Sequence, residues 1–323
     1  MSQSAQGAEL GRLLARAVDA RQVDPGVILA GRATVVDRSR SNPVGIVCVD
    51  GEPVVVLKAA GAGAAPLDGE RAAYRWLGSS AATAHVAPAL LGGGDGDGIV
   101  TRPVRGAVTL HEALALAPER SPALLARLGG LLGTVHAAPV PDLSAVRPWI
   151  LGLPRGAVPD GYDNSAAVAA VTDAIRARSA VMTAIATLDH RWTARAAIHG
   201  DVKFDNVLVA GDRMLLVDWE LAGLGEPAWD LAGVADGLLL PLCLTDATPV
   251  SRALVARLTG AAVAAHGAVA PSPAPETLAV AVIARLAQTA VQLAAMSHEQ
   301  PDATTSAWHV LEAATTLAGE CAP

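Results

Sequence analysis

The dipeptide Asp50-Gly51 separates two short apolar runs, Val44–Val49 and 54–57. An Asp-Gly pair between such runs is typical of a two-residue turn, which requires positive φ angles and joins antiparallel strands. Two further strand-like runs, 33–36 and 99–101, flank this pair. The first part of the chain is therefore predicted to contain an antiparallel sheet.

Helical spacing of apolar residues dominates the remainder of the sequence. The predicted helices cover residues 8–20, 70–77, 110–117, 122–136, 165–188, 250–266, 276–295 and 306–317. Among them, the short apolar runs 207–209 and 214–217 flank a turn at Gly211-Asp212 and predict a hairpin. With 323 residues, the chain is long enough for two domains. We predict an α+β fold with a small antiparallel-sheet lobe at 1–101 and a larger, mainly helical lobe at 102–323.

Charge and composition exclude several classes of partner. The formal net charge is −7 and aromatic residues make up 3% of the chain, which argues against phosphate-backbone binding and base stacking. The three cysteines lie far apart and predict neither a disulfide framework nor a zinc site. No basic run followed by an apolar stretch opens the sequence. We expect a cytoplasmic protein without nucleic-acid or membrane partners.

The segment most informative about function is HGDVKFDN, which begins at His199 and is followed by VDWE at 217–220. Phosphoryl transfer from ATP needs a carboxylate beside the acceptor hydroxyl and hard oxygen ligands for Mg²⁺. Asp201 lies in a loop before the predicted hairpin, Asn206 begins its first strand, and Asp218 ends its second. Because a hairpin brings its two ends together, Asn206 and Asp218 are predicted to share one metal site, with Asp201 one loop away.

This pattern, H-G-D-x-K-x-x-N followed by V-D-W-E, resembles the catalytic loop and metal-binding aspartate of the aminoglycoside phosphotransferase and choline kinase group. The resemblance implies a bilobal, protein-kinase-like fold that uses ATP and Mg²⁺. It implies that Asp201 is the catalytic base or orients the acceptor hydroxyl, and that Asn206 and Asp218 are Mg²⁺ ligands. Lys203 would neutralise charge on the transferred phosphate.

Two features farther along the chain bear on the same loop. The segment GEPAWDLA at 225–232 is similar to the G-x-P-x-x-D-L-A segment of this group, which implies that Asp230 braces the catalytic loop. Arg285, Gln288 and Gln292 lie three and four residues apart on an otherwise apolar helix, hence on one face. Such a stripe is either an internal polar network or a pocket wall. We expect Arg285 to pair with a carboxylate of the catalytic half.

The first lobe contains a possible nucleotide-binding pair. The apolar strand 54–57 is followed by Lys58, and kinases use such a lysine to contact the α- and β-phosphates, held by a glutamate of the following helix. Glu70 is the expected partner, although an acidic residue there also favours the helix dipole. No GxGxxG precedes Lys58; instead, the backbone amides of Ser41 and Asn42 are predicted to cradle phosphate oxygens, with a plain surface turn as the alternative.

The sequence leaves two classes of phosphoryl acceptor open. A hydroxyl of a small molecule, such as an aminoglycoside-like antibiotic or related metabolite, is the first hypothesis. The second is a Ser/Thr kinase acting on a ribosomally made precursor peptide, because VDWELAGLGEPAWDLAGV, RLAQTA and SRSN also resemble kinase-type proteins of lanthipeptide and thioamitide biosynthesis. There, phosphorylation prepares the hydroxyl for elimination by a partner lyase. A third hypothesis, a nucleotide-binding pseudokinase, is disfavoured because the four motif residues are intact, namely Lys58, Asp201, Asn206 and Asp218.

Overall fold

A computed structural model of the chain describes residues 11–12, 14–15, 17–19, 21–39, 42–60, 67–92, 98–156, 165–243, 249–296 and 302–320, excepting the side chains of 243 and 249–252. The chain divides into two compact units. The first unit comprises Met1–Leu110 and Asn206–Ala222, and the second comprises His111–Asp205 and Gly223–Pro323.

The first unit is built on a five-stranded antiparallel sheet with the strand order β1-β2-β3-β5-β4. Its strands are β1 (Ala33–Asp37), β2 (Val44–Val49), β3 (Glu52–Ala59), β4 (Leu90–Gly92) and β5 (Gly98–Thr101). Between β2 and β3, Asp50 and Gly51 have φ angles of 52° and 83°, as the two-residue turn requires. The predicted hairpin is thus confirmed.

Of the helix predicted over 8–20, residues 8–10, 13, 16 and 20 lie outside the described residues, and the described ones are helical. Two further helices and a small second sheet belong to the described part of the first unit. The helices are α1 (Pro25–Leu29) and α2 (Asp68–Gly78). The second sheet has the order β6-β8-β9, formed by β6 (Val108–Thr109), β8 (Val207–Ala210) and β9 (Arg213–Leu216). The hairpin predicted at 207–217 is therefore present, and it belongs to the first unit although its sequence lies among the helices of the second.

The second unit is mainly helical. Its helices are α3 (Leu110–Leu116, whose first residue belongs to the first unit), α4 (Ser121–Ala137), α5 (Ala166–Ala177), α6 (Ser179–Arg191), α7 (Pro227–Cys243), α8 (Pro249–Gly267), α9 (Pro275–Ala295) and α10 (Ala303–Glu320). A two-stranded antiparallel sheet joins β7 (Ala196–Ile198) to β10 (Gly223–Gly225). The α+β fold class is confirmed, with an antiparallel sheet early in the chain and mostly helices after it.

The helix predictions differ from the structure at three places, and the first is the short helix α1, which was not predicted. The single helix predicted over 165–188 is two helices, α5 and α6, because Arg178 adopts extended backbone angles of φ −96° and ψ 90° between them. Helix α7 was not predicted at all. Its sequence, PAWDLAGVADGLLLPLC, is apolar on nearly every side and contains Pro241, so no helical period is visible.

The predicted domains, 1–101 and 102–323, differ from the two packing units in two respects. The first unit extends to Leu110, and it also includes Asn206–Ala222. The sequence did not indicate that Asn206–Ala222 belongs to the first unit, because strand β8 pairs with β6, which lies almost a hundred residues earlier. Pairing over such a distance leaves no local signal.

Helix α9 is the core helix of the second unit and packs against α5, α6, α7 and α10. By length and composition alone it could cross a membrane, but 67% of its most apolar window is buried inside the protein. It also contains Arg285, which is 1% exposed and ion-paired. A charged residue with internal partners marks α9 as a helix of a protein core.

Because α4 packs closely against α8, we expect alanine substitutions at two neighbouring glycines of α4 to have opposite effects on stability. A Cβ atom on Gly129 would lie 2.0 Å from the backbone oxygen of Ala262, whereas one on Gly130 would meet nothing within 4 Å. We expect Gly129→Ala to lower the free energy of unfolding by about 1–3 kcal/mol, since the two helices must move apart. Gly130→Ala is the matched control and should raise it by about 0.5–1 kcal/mol through helix propensity. Urea denaturation of both variants measures the difference, and equal effects would contradict the packing described.

Candidate active site

The first unit gathers three carboxylates around one half-buried lysine. Lys58, on β3, places its Nζ atom 2.8 Å from Oε2 of Glu70, which lies on α2. The same ammonium also contacts Oδ1 of Asp218 and lies 3.2 Å from Oε2 of Glu220. The ion pair expected between Lys58 and Glu70 is therefore present.

Burial and these contacts shift the pKa of both Lys58 and Glu70. Burial lowers the pKa of Lys58, but the charges of Glu70, Asp218 and Glu220 outweigh it and raise that pKa above its usual value. Burial raises the pKa of Glu70 to about 7, because the attraction of Lys58 compensates only part of the lost hydration. Lys58 thus stays a cation in a site with an excess of acidic groups.

The carboxylates of Glu70, Asp218 and Glu220 form a donor set suited to a hard cation. One oxygen atom from each lies within 4.8 Å of the others. Asp218 has a φ of 66°, in the left-handed region that aspartate tolerates better than most residues. Carboxylate oxygens are the ligands that Mg²⁺ takes in proteins, so the residues present fit the ion that the family resemblance implies.

Asn206 lies at the other end of the hairpin that leads to Asp218. Its backbone oxygen accepts a hydrogen bond of 2.9 Å from the amide of Val217, so the two ends of the hairpin meet as predicted. The role of Asn206 as a metal ligand stays a prediction. Sequence reasoning did not include Glu220 in this donor set, although it is part of the same VDWE motif.

Of the two residues whose backbone amides were predicted to bind phosphate, the structure describes one. Ser41 lies outside the residues that the structure describes. Asn42 is 7% exposed, and its Nδ2 atom donates a hydrogen bond of 2.9 Å to Oε2 of Glu220. The side chain of Asn42 therefore orients the carboxylate of Glu220. The contact between the backbone amide of Asn42 and phosphate stays a prediction.

In the second unit, Asp230 holds the loop that precedes Asp201. Its Oδ2 atom accepts a hydrogen bond of 2.7 Å from the amide of His199, and its Oδ1 atom accepts one of 2.9 Å from the amide of Gly200. Gly200 has a φ of 83°, which favours glycine at this turn. The bracing role predicted for Asp230 is confirmed.

Asp201 is held at both of its oxygen atoms. Oδ1 lies 2.9 Å from Nη2 of Arg285, and Oδ2 lies 2.9 Å from Nζ of Lys203. Burial would raise the pKa of Asp201, but Arg285 and Lys203 outweigh that effect and hold the pKa below its usual value. The carboxylate is therefore ionised at neutral pH and able to accept a hydrogen bond from a hydroxyl.

Arg285 pairs with the catalytic half as the sequence predicted, and it has a second carboxylate partner that the sequence did not reveal. Its Nε atom lies 3.3 Å from Oδ2 of Asp236, which is 5% exposed. Gln288, on the same helix, is 4% exposed. These two members of the polar stripe lie inside the helical core.

A buried pair of histidines extends the support of the loop. Nε2 of His136 lies 3.0 Å from Oδ2 of Asp230, and Nδ1 of His136 lies 2.9 Å from Nε2 of His266. Both ring nitrogen atoms of His136 therefore have a buried partner, Asp230 on one side and His266 on the other. Sequence reasoning missed both histidines, because they lie 130 residues apart and belong to no motif.

The solved structures that share this fold include choline and ethanolamine kinases. A choline/ethanolamine kinase family protein from Mesorhizobium loti has a TM-score of 0.56 at 20% identity, covering 90% of each chain. The choline kinase LicA from Streptococcus pneumoniae has a TM-score of 0.60 at 14% identity, covering 92% of this chain and 97% of its own. A structure of LicA with AMP has a TM-score of 0.56 at 14% identity and covers 90% of this chain and 92% of that one. The fold is therefore the protein-kinase-like fold of this group.

A family comparison agrees with the fold. Residues 34–271 match the model of the phosphotransferase enzyme family, APH. The match covers most of the sequence, so the chain belongs to the phosphotransferase enzyme family. The enzyme class predicted from the motifs, a kinase acting on an alcohol group, is confirmed. The chain matches no curated protein in sequence.

The buried histidine pair predicts loss of stability in mild acid. Burial, helped by nearby His136, lowers the pKa of His266 to about 4, against about 6.5 in an unfolded chain. The unfolded state therefore binds the extra proton first as pH falls from about 6.5 to 4, and up to about 3 kcal/mol of stability is lost over that window. Urea denaturation at successive pH values measures the slope.

Two histidine variants test the assignment. His266→Gln should flatten the pH dependence of unfolding, because the titrating group is gone. His111→Gln is the control at an exposed histidine and should leave it unchanged. The assignment is wrong if His266→Gln keeps the slope of the unsubstituted protein.

Proposed function

We propose that this protein transfers the γ-phosphoryl group of ATP, bound with Mg²⁺, to a hydroxyl group of a small molecule. The observation that carries the proposal is Asp201, an ionised and almost buried carboxylate on a loop braced at two successive amides. A carboxylate in that state can fix a hydroxyl group for attack on phosphorus. Membership in the phosphotransferase family supports the same reaction.

Nucleotide binding is assigned to the acidic group of the first unit. Lys58 would contact the α- and β-phosphates, and its pair with Glu70 holds the ammonium in place. Asp218 and Asn206 would hold Mg²⁺, with Glu220 as a further carboxylate beside Asp218. Bound Mg²⁺ would neutralise negative charge on the phosphate oxygens. That a structure of the similar LicA is titled as a complex with AMP supports nucleotide binding by this fold.

Phosphoryl transfer then depends on what Asp201 does to the acceptor. Its carboxylate accepts a hydrogen bond from the acceptor hydroxyl and aligns the oxygen with the γ-phosphorus. A new O–P bond forms while the bond from the γ-phosphorus to the β,γ-bridging oxygen breaks, and ADP leaves with that electron pair. The hydroxyl proton passes to Asp201 and then to solvent. Because Asp201 has a low pKa, it is a weak base, and orientation of the hydroxyl is its main contribution.

A small-molecule acceptor is favoured by the structures that share this fold, whose titles name choline and ethanolamine kinases. An amino alcohol or aminosugar is the corresponding substrate class. The second candidate is a Ser/Thr hydroxyl of a ribosomally made peptide, processed further by a partner lyase. It is favoured by the contact of Lys203 with Asp201, since a lysine at this position also occurs in Ser/Thr protein kinases. The cytoplasm is the proposed compartment.

Mass spectrometry with MgATP tests the acceptor class. The purified protein is incubated with choline, ethanolamine, a panel of aminoglycosides, and Ser/Thr-rich peptides, and each product is examined for an added phosphate. We expect phosphate on a small alcohol. Phosphate on the peptides alone would transfer the assignment to the second candidate. A protein that binds ATP but phosphorylates neither the small alcohols nor the peptides would favour the pseudokinase hypothesis.

Substitution of the catalytic carboxylate should separate turnover from binding. We expect Asp201→Asn to lower kcat by about 10²–10⁴, the usual contribution of a catalytic acid–base group, while the Kd for MgATP changes little. Steady-state kinetics and calorimetry measure the two quantities. Asp212→Asn, in the exposed turn of the hairpin, is the control and should match the unsubstituted protein. Full turnover by Asp201→Asn would exclude the proposed role.

Removal of a metal ligand should act on nucleotide binding instead. We expect Asp218→Ala to weaken MgATP binding by at least about tenfold, or about 1.4 kcal/mol, because the carboxylate that meets the metal is lost. Calorimetry with MgATP and with ATP in EDTA measures this effect, and the variant should bind both forms alike. A variant that still prefers MgATP would remove Asp218 from the metal site.

A further inference from the structure

Arg285 is a fully buried cation whose contacts converge on the catalytic loop. Its guanidinium lies 2.9 Å from Asp201 and donates at 3.4 Å to the backbone oxygens of both Gly200 and Val202. It also lies 5.3 Å from the ring centre of Trp229. The side chain is 1% exposed, so all of these contacts are made away from water. One rigid planar group therefore fixes the peptide on either side of Asp201 as well as its carboxylate.

Stability alone does not explain a charge at this position. Burying a cation costs several kcal/mol before its partners compensate, and apolar residues of similar volume often serve a core as well or better. Apart from the polar stripe and Thr289, the residues of α9 around Arg285 are small or aliphatic. The guanidinium is instead placed where it meets the one carboxylate that the proposed reaction uses.

The two oxygen atoms of Asp201 have different surroundings. Oδ1 faces Arg285, on the buried side. Oδ2 faces Lys203, whose side chain is 45% exposed and flexible. A hydroxyl that arrives from solvent therefore meets Oδ2, and Lys203 can turn aside toward a phosphate group when it does.

We propose that Arg285 is a positioning residue for phosphoryl transfer: it occupies Oδ1 of Asp201 and turns Oδ2 toward the acceptor hydroxyl. This inference rests on the proposed function of Asp201. Because its side chain is 1% exposed, Arg285 acts through the carboxylate that it holds. Its removal should therefore reduce turnover and leave nucleotide affinity alone.

Asp236 fixes the far side of the guanidinium. Its Oδ2 atom lies 3.3 Å from Nε of Arg285 and accepts a hydrogen bond of 2.9 Å from Oγ1 of Thr289, on the same helix. Burial raises the pKa of Asp236, so this carboxyl competes less for the charge of Arg285 than Asp201 does. The arginine is thereby held between one strong and one weaker acidic partner.

The test uses Arg285→Lys, which keeps the charge and loses the planar fork, and Arg285→Met, which loses both. Gln288→Leu is the matched control, because Gln288 is equally buried on α9 and no contact to Asp201 is assigned to it. MgATP hydrolysis without added alcohol is the assay, so the acceptor need not be known. We expect Arg285→Lys to lower kcat by about tenfold or more and Arg285→Met by as much as about 10²–10⁴, the full contribution of Asp201. KM for ATP should stay within about twofold of its original value, because binding and turnover are separate effects.

The pH profile distinguishes positioning from mere structural support. The charged and titratable groups that act on Asp201 include Arg285, Lys203 and His199. Loss of the arginine removes the largest attraction on the carboxylate, so the acidic limb of kcat should move to higher pH in Arg285→Met. A purely structural residue would lower the melting temperature and leave that limb in place. If Arg285→Met does not fold, the kcat and KM of Arg285→Lys decide the question.

The outcomes separate this inference from the proposed function. Folded Arg285→Lys with the original kcat and pH profile would overturn the role of Arg285 while leaving that of Asp201 intact. An equal loss in Gln288→Leu would also overturn it, because any change in α9 would then suffice. An unsubstituted protein that transfers phosphate to none of the acceptors tested above, or whose turnover is unaffected by Asp201→Asn, would overturn the proposed function itself.

Discussion

The carboxylate of Asp230 fixes the loop on which the chemistry of the second unit depends. It is fully buried and accepts hydrogen bonds from the amides of His199 and Gly200 and from the ring of His136. A buried charge without such donors would cost several kcal/mol, so the loop and the carboxylate stabilise each other. The contacts of Asp201 presuppose the backbone geometry that this interaction sets.

The balance of charge around Asp201 is opposite to that around Lys58. Around Asp201, the cations Arg285 and Lys203 outnumber the carboxylate and keep it ionised. Around Lys58, three carboxylates outnumber one ammonium, which leaves an acidic site suited to a divalent cation. A kinase needs both conditions, namely a carboxylate ready to accept a hydrogen bond and an acidic site for the metal of its nucleotide.

Much of the fold and the site could be predicted because the signals were local. The Asp50-Gly51 turn identified the first hairpin, and the order of Asp201, Asn206 and Asp218 around the second identified the kinase motif. Most of what was missed had no local signal; Glu220, inside the VDWE motif, is the exception. Helix α7 is apolar on nearly every side, and the break at Arg178 is a backbone conformation that the apolar pattern around it does not record.

By itself, the sequence determined the class of fold, the chemical types of the motif residues and the family, since turn residues and motif spacing act within a few positions. Tertiary structure decided which individual side chains meet across long stretches of chain: a carboxylate partner was predicted for Arg285, but not that it would be Asp201. Arg285 reaches Asp201 across 84 residues, and His136 reaches His266 across 130. These partners are set by how closely helices pack, as where Gly129 lets α4 approach the backbone of Ala262. Such pairings depend on distances that exist after the chain has folded, so no pattern of neighbouring residues encodes them.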